Sequence, residues 1–384
     1  MKESIYIKNF GPIVEASIDD IKPYTFFIGE SGSGKSTILK VTAFFRWIYK
    51  MMCIRSYLKY SGLKKSPFRI IFNSHMRDMG LKGYLRSNTT IKYQFGDSII
   101  EYSDKTLKGV NKFVEKRDLS LEKLSFISDK RNIIGDMLEN NVSVRKRSFY
   151  LSETYEDYIR AVDDIEQYDI EDLGIRFVVK KTPIGLKHMI EPITADGYGY
   201  KYAINLNESS SGIQAVIPLS LIAEYFFTKY DIIDSLNNAI FSYVMRGDSL
   251  KDFRATMNIG EFNYKRVHLF VEEPEISLYP DNQIALMDRL IFGCSLPKDY
   301  CVTLMIATHS PYIINYLNVI LRRNKDSGKA WLSGKDLAVY GVYEGRLQNL
   351  VGTDSITNRV IVNTSDLSEV IKDIYNEYCS YDEK

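Results

Sequence analysis

One nine-residue stretch, Gly29-Glu30-Ser31-Gly32-Ser33-Gly34-Lys35-Ser36-Thr37, constrains this chain more than any other. It satisfies the spacing G-x-x-x-x-G-K-[ST], and its setting carries as much weight as the spacing. Ahead of it, Pro23-Tyr24-Thr25-Phe26-Phe27-Ile28 is a short apolar run of the kind found in a fully buried strand. Behind it, Ile38, Leu39, Val41, Phe44, Phe45, Ile48 and Met52 recur at helical spacing. Strand, glycine-rich loop and helix in that order make a cradle for phosphate. The glycines let backbone N–H groups curl around anionic oxygens without a Cβ in the way, and the helix start adds partial positive charge. In such a loop Lys35 reaches the β- and γ-phosphates, and Ser36 places its hydroxyl on Mg²⁺. The chain is expected to bind a nucleoside triphosphate.

Two more core strands are legible downstream. His268-Leu269-Phe270-Val271 runs into Glu272-Glu273-Pro274-Glu275, and Val302 to Ile306 runs into Ala307-Thr308-His309-Ser310-Pro311. Carboxylates at the C-terminal end of an interior strand lie on the ligand-binding edge of an α/β sheet. There Glu272 is suited to hold Mg²⁺ through water, and Glu273 to take a proton from, or orient, an attacking water. His309, on the same edge, can donate a hydrogen bond to the γ-phosphate. The plainer readings are a solvated acidic turn and a structural histidine; the phosphate loop weighs against both. Ser209-Ser210-Ser211-Gly212-Ile213-Gln214 precedes an apolar helix expected from Gly212 to about Tyr230. Ser211 and Gly212 then lie at a helix N-terminus able to receive an anion. Alone this would be an ordinary serine cap, and its place between the loop and the acidic strand changes the weighing.

The rest of the chain reads as α/β. Ile5, Ile7 and Phe10 alternate with polar neighbours before a Gly11-Pro12 turn and a second run from Ile13 to Ile18, which predicts a hairpin. A second hairpin is expected around Gly96-Asp97. Strand signals return at Ile175 to Val179 and at Tyr200 to Leu206. Strands alternating with helices argue for a parallel core. The closing segment Asp366–Tyr378 reads as one amphipathic helix. With 45% hydrophobic and 26% charged residues, disorder across the 384-residue chain is excluded. Cys53, Cys294, Cys301 and Cys379 show no CxxC, and His75, His188, His268 and His309 are too scattered for a metal cluster. The longest uncharged apolar stretch is too short to cross a bilayer, and the N-terminus lacks the pattern of a signal peptide. A cytoplasmic protein with no membrane contact is the expectation.

Net charge is only +1, yet its distribution is polarised. Arg46 to Lys92 holds eleven basic residues and one acid, whereas Glu153 to Asp172 holds nine acids and one base. The basic stretch fits DNA or RNA contact, docking of an acidic partner such as the acidic stretch of another copy, or a plain solvated surface.

Taken in order, the phosphate loop, Ser-Ser-Gly-x-Gln, apolar-Glu-Glu-Pro-Glu and Thr-His-Ser-Pro resemble the motifs of ATP-binding-cassette heads. More narrowly, the chain is similar to the RecF/SMC-like group that contains OLD-family ATPases and the ATPase subunits of bacterial anti-phage systems such as Septu, Gabija, PARIS and some retrons. Ile-Lys-Asn-Phe-Gly-Pro-Ile at the start and the segment Phe126-Ile127-Ser128-Asp129-Lys130-Arg131 also fit that group.

The resemblance implies an α/β fold: an ABC-type P-loop ATPase head with a mixed sheet, a parallel core and an N-terminal antiparallel part. That head would be split into residues 1–45 and 174–384 around an inserted α+β or helical region, 46–173. It further implies ATP and Mg²⁺ as cofactors. Gly29, Gly34, Lys35, Ser36 and Thr37 become Walker A, and Glu272 and Glu273 become Walker B and catalytic base. Ser210, Ser211, Gly212 and Gln214 become the signature that closes over a partner protomer's γ-phosphate, Pro280-Asp281 falls in the D-loop, and His309 is the switch histidine. Such heads form head-to-tail homodimers, or higher oligomers built from them. The signature departs from the transporter's Leu-Ser-Gly-Gly-Gln. The Q-loop candidate, Gln94, reads better as a strand residue. A C-terminal Toprim domain has no room after Gly352, so an effector, a nuclease or toxin, is expected on another polypeptide. The leading expectation is a slow regulatory or sensor ATPase of anti-phage defence; a RecF-like repair ATPase acting on DNA and a weakly hydrolysing scaffold are the alternatives.

Overall fold

The computed structural model describes residues 2–62, 70–139, 148–183, 185–194, 202–235, 237–238, 262–323, 325–365, 367 and 369–382. The expected hairpin is formed by β1 (Glu3–Phe10) and β2 (Ile13–Ile18), paired antiparallel with Ile5 opposite Ile18 and Phe10 opposite Ile13. β3 (Tyr24–Ile28) leads through the phosphate loop into α1 (Lys35–Tyr60). Apolar residues from Ile38 to Leu58 are buried on several sides of α1, so it is a core helix.

After α2 (Phe72–Asp78) come three antiparallel strands, β4 (Leu85–Phe95), β5 (Ser98–Ser103) and β6 (Thr106–Lys108). β7 (Ser120–Ile127), α3 (Ile134–Glu139) and α4 (Phe149–Asp164) follow. A separate four-stranded sheet is built from β8 (Gln167–Ile170), β9 (Ile175–Thr182), β10 (Gly185–Pro192) and β11 (Ile204–Asn205). The last of these is shorter than the run expected from Tyr200, whose first two residues lie outside the described ones. Next are α5 (Ser211–Thr228), β12 (Tyr264–Glu272), α6 (Pro280–Gly293), β13 (Cys301–Thr308) and α7 (Pro311–Arg322). The chain continues with β14 (Leu337–Tyr343), β15 (Arg346–Asn349), the small pair β16 (Val351–Thr353) and β17 (Val360–Val362), and α8 (Glu369–Asp382). In α8, Ile374, Tyr375 and Tyr378 are exposed.

The main sheet has eleven strands in the order β6-β5-β4-β1-β2-β15-β14-β3-β13-β12-β7. From β14 to β7 every pairing is parallel. From β6 to β2 every pairing is antiparallel. The fold is therefore a mixed α/β architecture with a parallel core and an antiparallel flank that opens the chain.

The expected insert, residues 46–173, does not stand apart from this sheet. α1 runs through residue 46 without interruption. β4, β5 and β6 extend the flank beside β1, and β7 closes the parallel core beside β12. Its strands cannot be told from an insert by local pattern, because their partners are β1 and β12, far away in sequence.

A buried ionic cluster locks the two parts together. Arg46 on α1 holds the Glu3 carboxylate at 2.7 and 3.1 Å, and the Tyr93 hydroxyl donates to Glu3 at 2.7 Å. Arg266 reaches both Glu3 at 3.4 Å and Glu122 at 2.7 Å; His268 lies 2.6 Å from Glu122. Two carboxylates and two guanidiniums balance one another, the condition under which buried charge is tolerated. Arg46, read from sequence as the start of a nucleic-acid-binding run, is 2% exposed and committed to Glu3.

Among the described residues, α5 is the one helix long and apolar enough to cross a membrane by length and composition, and 67% of it is buried within the fold.

Candidate functional site

The parallel core brings three strand ends to one edge. Register pairs Ile28 with Thr308 and Ala307 with Glu272, so β3, β13 and β12 stop nearly level and release the phosphate loop, His309 and Glu273 side by side. Between them lies a cavity of about 490 Å³, lined by Ser31 to Thr37 of the loop (Ser33 excepted), Glu273, His309, Gly11, Pro12 and Tyr84. None of the lining residues is a glutamine. Gln94 sits in β4 with its amide on the Gly96 carbonyl.

The loop needs its glycines for two physical reasons. Gly34 has φ +114°, and a Cβ there would come within 2.3 Å of Ile13; at Gly29 a Cβ would meet the Val342 carbonyl oxygen at 2.5 Å. Lys35, 4% exposed, turns its ammonium onto the Gly29 and Glu30 carbonyls, 2.8 Å from each. Burial lowers its pKa to about 8, against the pull of Glu273 and Glu275. Its Nζ also lies 3.5 Å from His309 Nδ1, and His309 Nε2 lies 3.5 Å from Glu273 Oε1. Lys35, His309 and Glu273, three residues from distant parts of the sequence, thus form one line across the cavity. Ser33 Oγ is buried without a hydrogen-bond partner among the described residues.

Glu272 is 2% exposed, with Oε1 2.8 Å from Lys40 Nζ and Oε2 buried and without a hydrogen-bond partner among the described residues. Burial raises its pKa, opposed by Lys40 and the Ser36 hydroxyl. One carboxylate with an unsatisfied oxygen, next to a loop hydroxyl, suits a cation that keeps waters and takes its other ligands from phosphate, as Mg²⁺ does. Glu273 has φ +43°, a left-handed backbone that is costly for a side-chain-bearing residue. Its N–H donates to the Ala307 carbonyl at 2.8 Å. Glu275 closes the next link: its carboxylate accepts from the His309 N–H at 2.5 Å and from the Thr308 hydroxyl at 2.8 Å.

The serine-rich segment does not line this cavity. Ser210 caps α5 in extended conformation with no side-chain cap bond, and Ser210 and Ser211 are exposed. Gly212 is buried with its Cα against the loop after Glu273; a Cβ would stand 2.7 Å from the Ser277 carbonyl oxygen. Gln214 turns back, its amide donating to the Asn207 and Ser209 carbonyls at 2.8 Å each. Its described contacts hold the segment's own backbone.

Lys40, Glu275, Tyr84 and Arg131 are the residues that sequence reasoning left without a role. For Arg131 a signal existed. It follows the apolar end of β7 as Glu272 ends β12, and the strand-end rule applies to both.

The polarised charge stretches are largely occupied within the chain. Arg55 donates to the Val110 carbonyl, Arg86 to that of Gly11, and Lys59 lies 3.6 Å from the Phe113 ring centre. Lys64, Lys65 and Arg69 lie outside the described residues. Of the acids, Asp157 pairs with Lys123 and Arg160, Glu166 with Lys181, Asp169 with Arg176 and Asp172 with Arg289.

The family model described as AAA_15, AAA ATPase domain, matches residues 48–314, beginning downstream of the phosphate loop. Among solved structures, the chain is similar to an SMC head bound to the C-terminal winged-helix domain of ScpA, at 12% identity and TM-score 0.35, over 90% of this chain and 96% of that one. The SMC head domain from Thermotoga maritima matches at 12% identity and TM-score 0.33, over 94% and 99% of the two chains. A nucleotide-free ATP-binding cassette from an ABC transporter matches at 12% identity and TM-score 0.31, over 90% and 89%. No curated protein matches the chain.

Proposed function

From the premise that this chain belongs to the AAA_15 family of AAA ATPase domains, we propose that it binds ATP in the cavity between β3, β13 and β12 and hydrolyses it there slowly. The observation that carries this is the line Lys35–His309–Glu273 across that cavity. Loop N–H groups and Lys35 bind the phosphates. Glu273 takes the proton of a water whose oxygen bonds the γ-phosphorus as the bridging oxygen to the β-phosphate leaves. His309 donates a hydrogen bond to the γ-phosphoryl oxygens, and Glu275 holds the His309 backbone in place. Ser36 and Glu272 would hold Mg²⁺, which when bound neutralises charge on the β- and γ-oxygens.

Ser210 and Ser211 are exposed and stand outside the cavity of their own subunit. In this proposal they close over the γ-phosphate of a second copy, so that ATP favours a homodimer through differential affinity and hydrolysis releases it. The finer reading, a cytoplasmic sensor subunit of anti-phage defence controlling a separately encoded nuclease or toxin, is supported by the motif resemblance.

Glu273→Gln tests the reaction. This variant is expected to bind ATP, hydrolyse it at least about a hundredfold more slowly, and accumulate as a dimer by light scattering. Unchanged turnover would overturn the assignment.

A further inference from the structure

We propose that Arg131 is the positioning residue that ties Glu273 to the Ser211–Gly212 face, so that nucleotide in one pocket is felt at the surface offered to another copy. The inference deepens the ATPase reading above and rests on it.

The Arg131 guanidinium is wholly buried, and among the described residues its hydrogen bonds all go to main-chain carbonyls. Nη1 reaches the Glu272 carbonyl at 2.8 Å and that of Ser128 at 3.2 Å; Nη2 reaches the Glu273 carbonyl at 2.7 Å; Nε reaches the Ala215 carbonyl at 2.9 Å. Three segments meet on one planar fork: the end of β7, the end of β12 and the second turn of α5. Lysine, a point charge with no fork, cannot hold all of them in fixed directions. Since its acceptors are backbone, Arg131 fixes where chain segments lie and leaves the acidic side chains free for chemistry. It does not line the cavity.

Each end of this tie has its own independent mark. At the β12 end, the left-handed Glu273 is pinned from both sides, its N–H by Ala307 and its C=O by Arg131. Without both, the backbone would relax from φ +43° and carry the carboxylate away from His309. At the α5 end, Pro218 lacks the N–H that would close on the Gln214 carbonyl, which loosens the helix where Arg131 enters at Ala215. Gly212 supplies a second tie, packing without a Cβ against Ser277 in the loop that begins at Glu273. The start of α5 and the Glu273 loop are thereby one rigid piece. A displacement of Glu273 on nucleotide binding moves Ser210 and Ser211 with it.

Hydrogen exchange resolves this without reference to turnover. The protein is kept dilute enough to be monomeric and is compared with and without adenylyl-imidodiphosphate and Mg²⁺, by peptides covering 29–37, 273–279 and 211–217. In the wild type, exchange should slow about tenfold or more in all three, although 211–217 does not line the pocket. In Arg131→Lys the 29–37 protection should persist while that of 211–217 is lost, and kcat should fall about thirtyfold with KM within threefold. Protection of 29–37 and 273–279 alone in the wild type overturns the proposal, and so does retention of the 211–217 effect in Arg131→Lys. Absence of protection at 29–37 overturns the pocket reading itself. Should Arg131→Lys not fold, the wild-type comparison decides alone.

Discussion

Lys40 Nζ and Glu272 Oε1 stand 2.8 Å apart, and the other oxygen of that carboxylate is buried and finds no hydrogen-bond partner among the described residues. The lysine is held from behind by the rings of Tyr150 and Phe126, 5.2 and 5.9 Å from its ammonium. A fixed cation on the one acid suited to Mg²⁺ must compete with the metal. Lys40→Met is therefore expected to tighten Mg²⁺ binding to the nucleotide-bound protein by about threefold to tenfold, the worth of roughly 1 kcal/mol of charge interaction. Calorimetric Mg²⁺ titration in adenylyl-imidodiphosphate checks it; weaker binding would mean that Lys40 organises the acid instead.

Glu273→Gly separates strain from chemistry. Glycine accepts φ +43° at no steric cost, so the variant should gain about 1 kcal/mol in urea unfolding. Phosphate release should fall by about a hundredfold or more. Loss of stability instead would show that the Glu273 side chain contributes more to the fold than its backbone costs.

Gly34→Ala should abolish nucleotide binding outright, with little residual affinity at millimolar ATP. The new methyl meets Ile13 and the backbone at φ +114° resists it. Fluorescent-nucleotide titration measures this directly, and near-normal affinity would count against the loop geometry described.

Arg46→Met should lower stability by about 3 to 5 kcal/mol, because it leaves the Glu3 carboxylate buried with reduced compensation. It should leave the salt dependence of any DNA binding unaltered, since the side chain does not reach the surface. A changed slope would return Arg46 to the nucleic-acid reading.

Acid should unfold the protein in two stages. Burial lowers His188 and His268 to about 4, so below the ordinary 6.5 the unfolded chain takes up protons that the native one refuses. Each then removes about 1.4 kcal/mol per pH unit as pH falls from 6.5 towards 4. The guanidiniums beside Glu3 and Glu122 outweigh their burial and hold both near about 2, which extends the loss from 4.5 downward. Glu153 and Glu272, raised by burial, oppose part of this slope. Urea midpoints at pH 7.5, 5.5 and 4 should fall in that order.

Local pattern reaches as far as its own period. Alternation in β1 and the apolar runs of β3, β12 and β13 were legible because each strand's burial is written in adjacent residues. So was the site that their ends create, since a charged residue closing an apolar run announces a ligand-facing edge. Arg46 was not legible in this way, and for Arg131 only its place after the end of β7 was, not the carbonyls it holds. The carbonyls that Arg131 holds lie 84, 141 and 142 residues away apart from that of Ser128, and Arg46 finds Glu3 across 43. Only the sheet order makes those neighbours, so the same arginine type reads as surface charge until β7 is seen beside β12 and β1 beside α1.

α1 carries Ser36 in its first turn, Lys40 one turn later and Arg46 beyond it, all on 26 unbroken residues. At 1.5 Å per residue this is a shaft of about 39 Å. Pivoted on the ionic cluster at Arg46, the helix has about 21 Å beyond the pivot, so a tilt of about 5° would swing Tyr60 through roughly 2 Å, the shorter arm lying at the nucleotide.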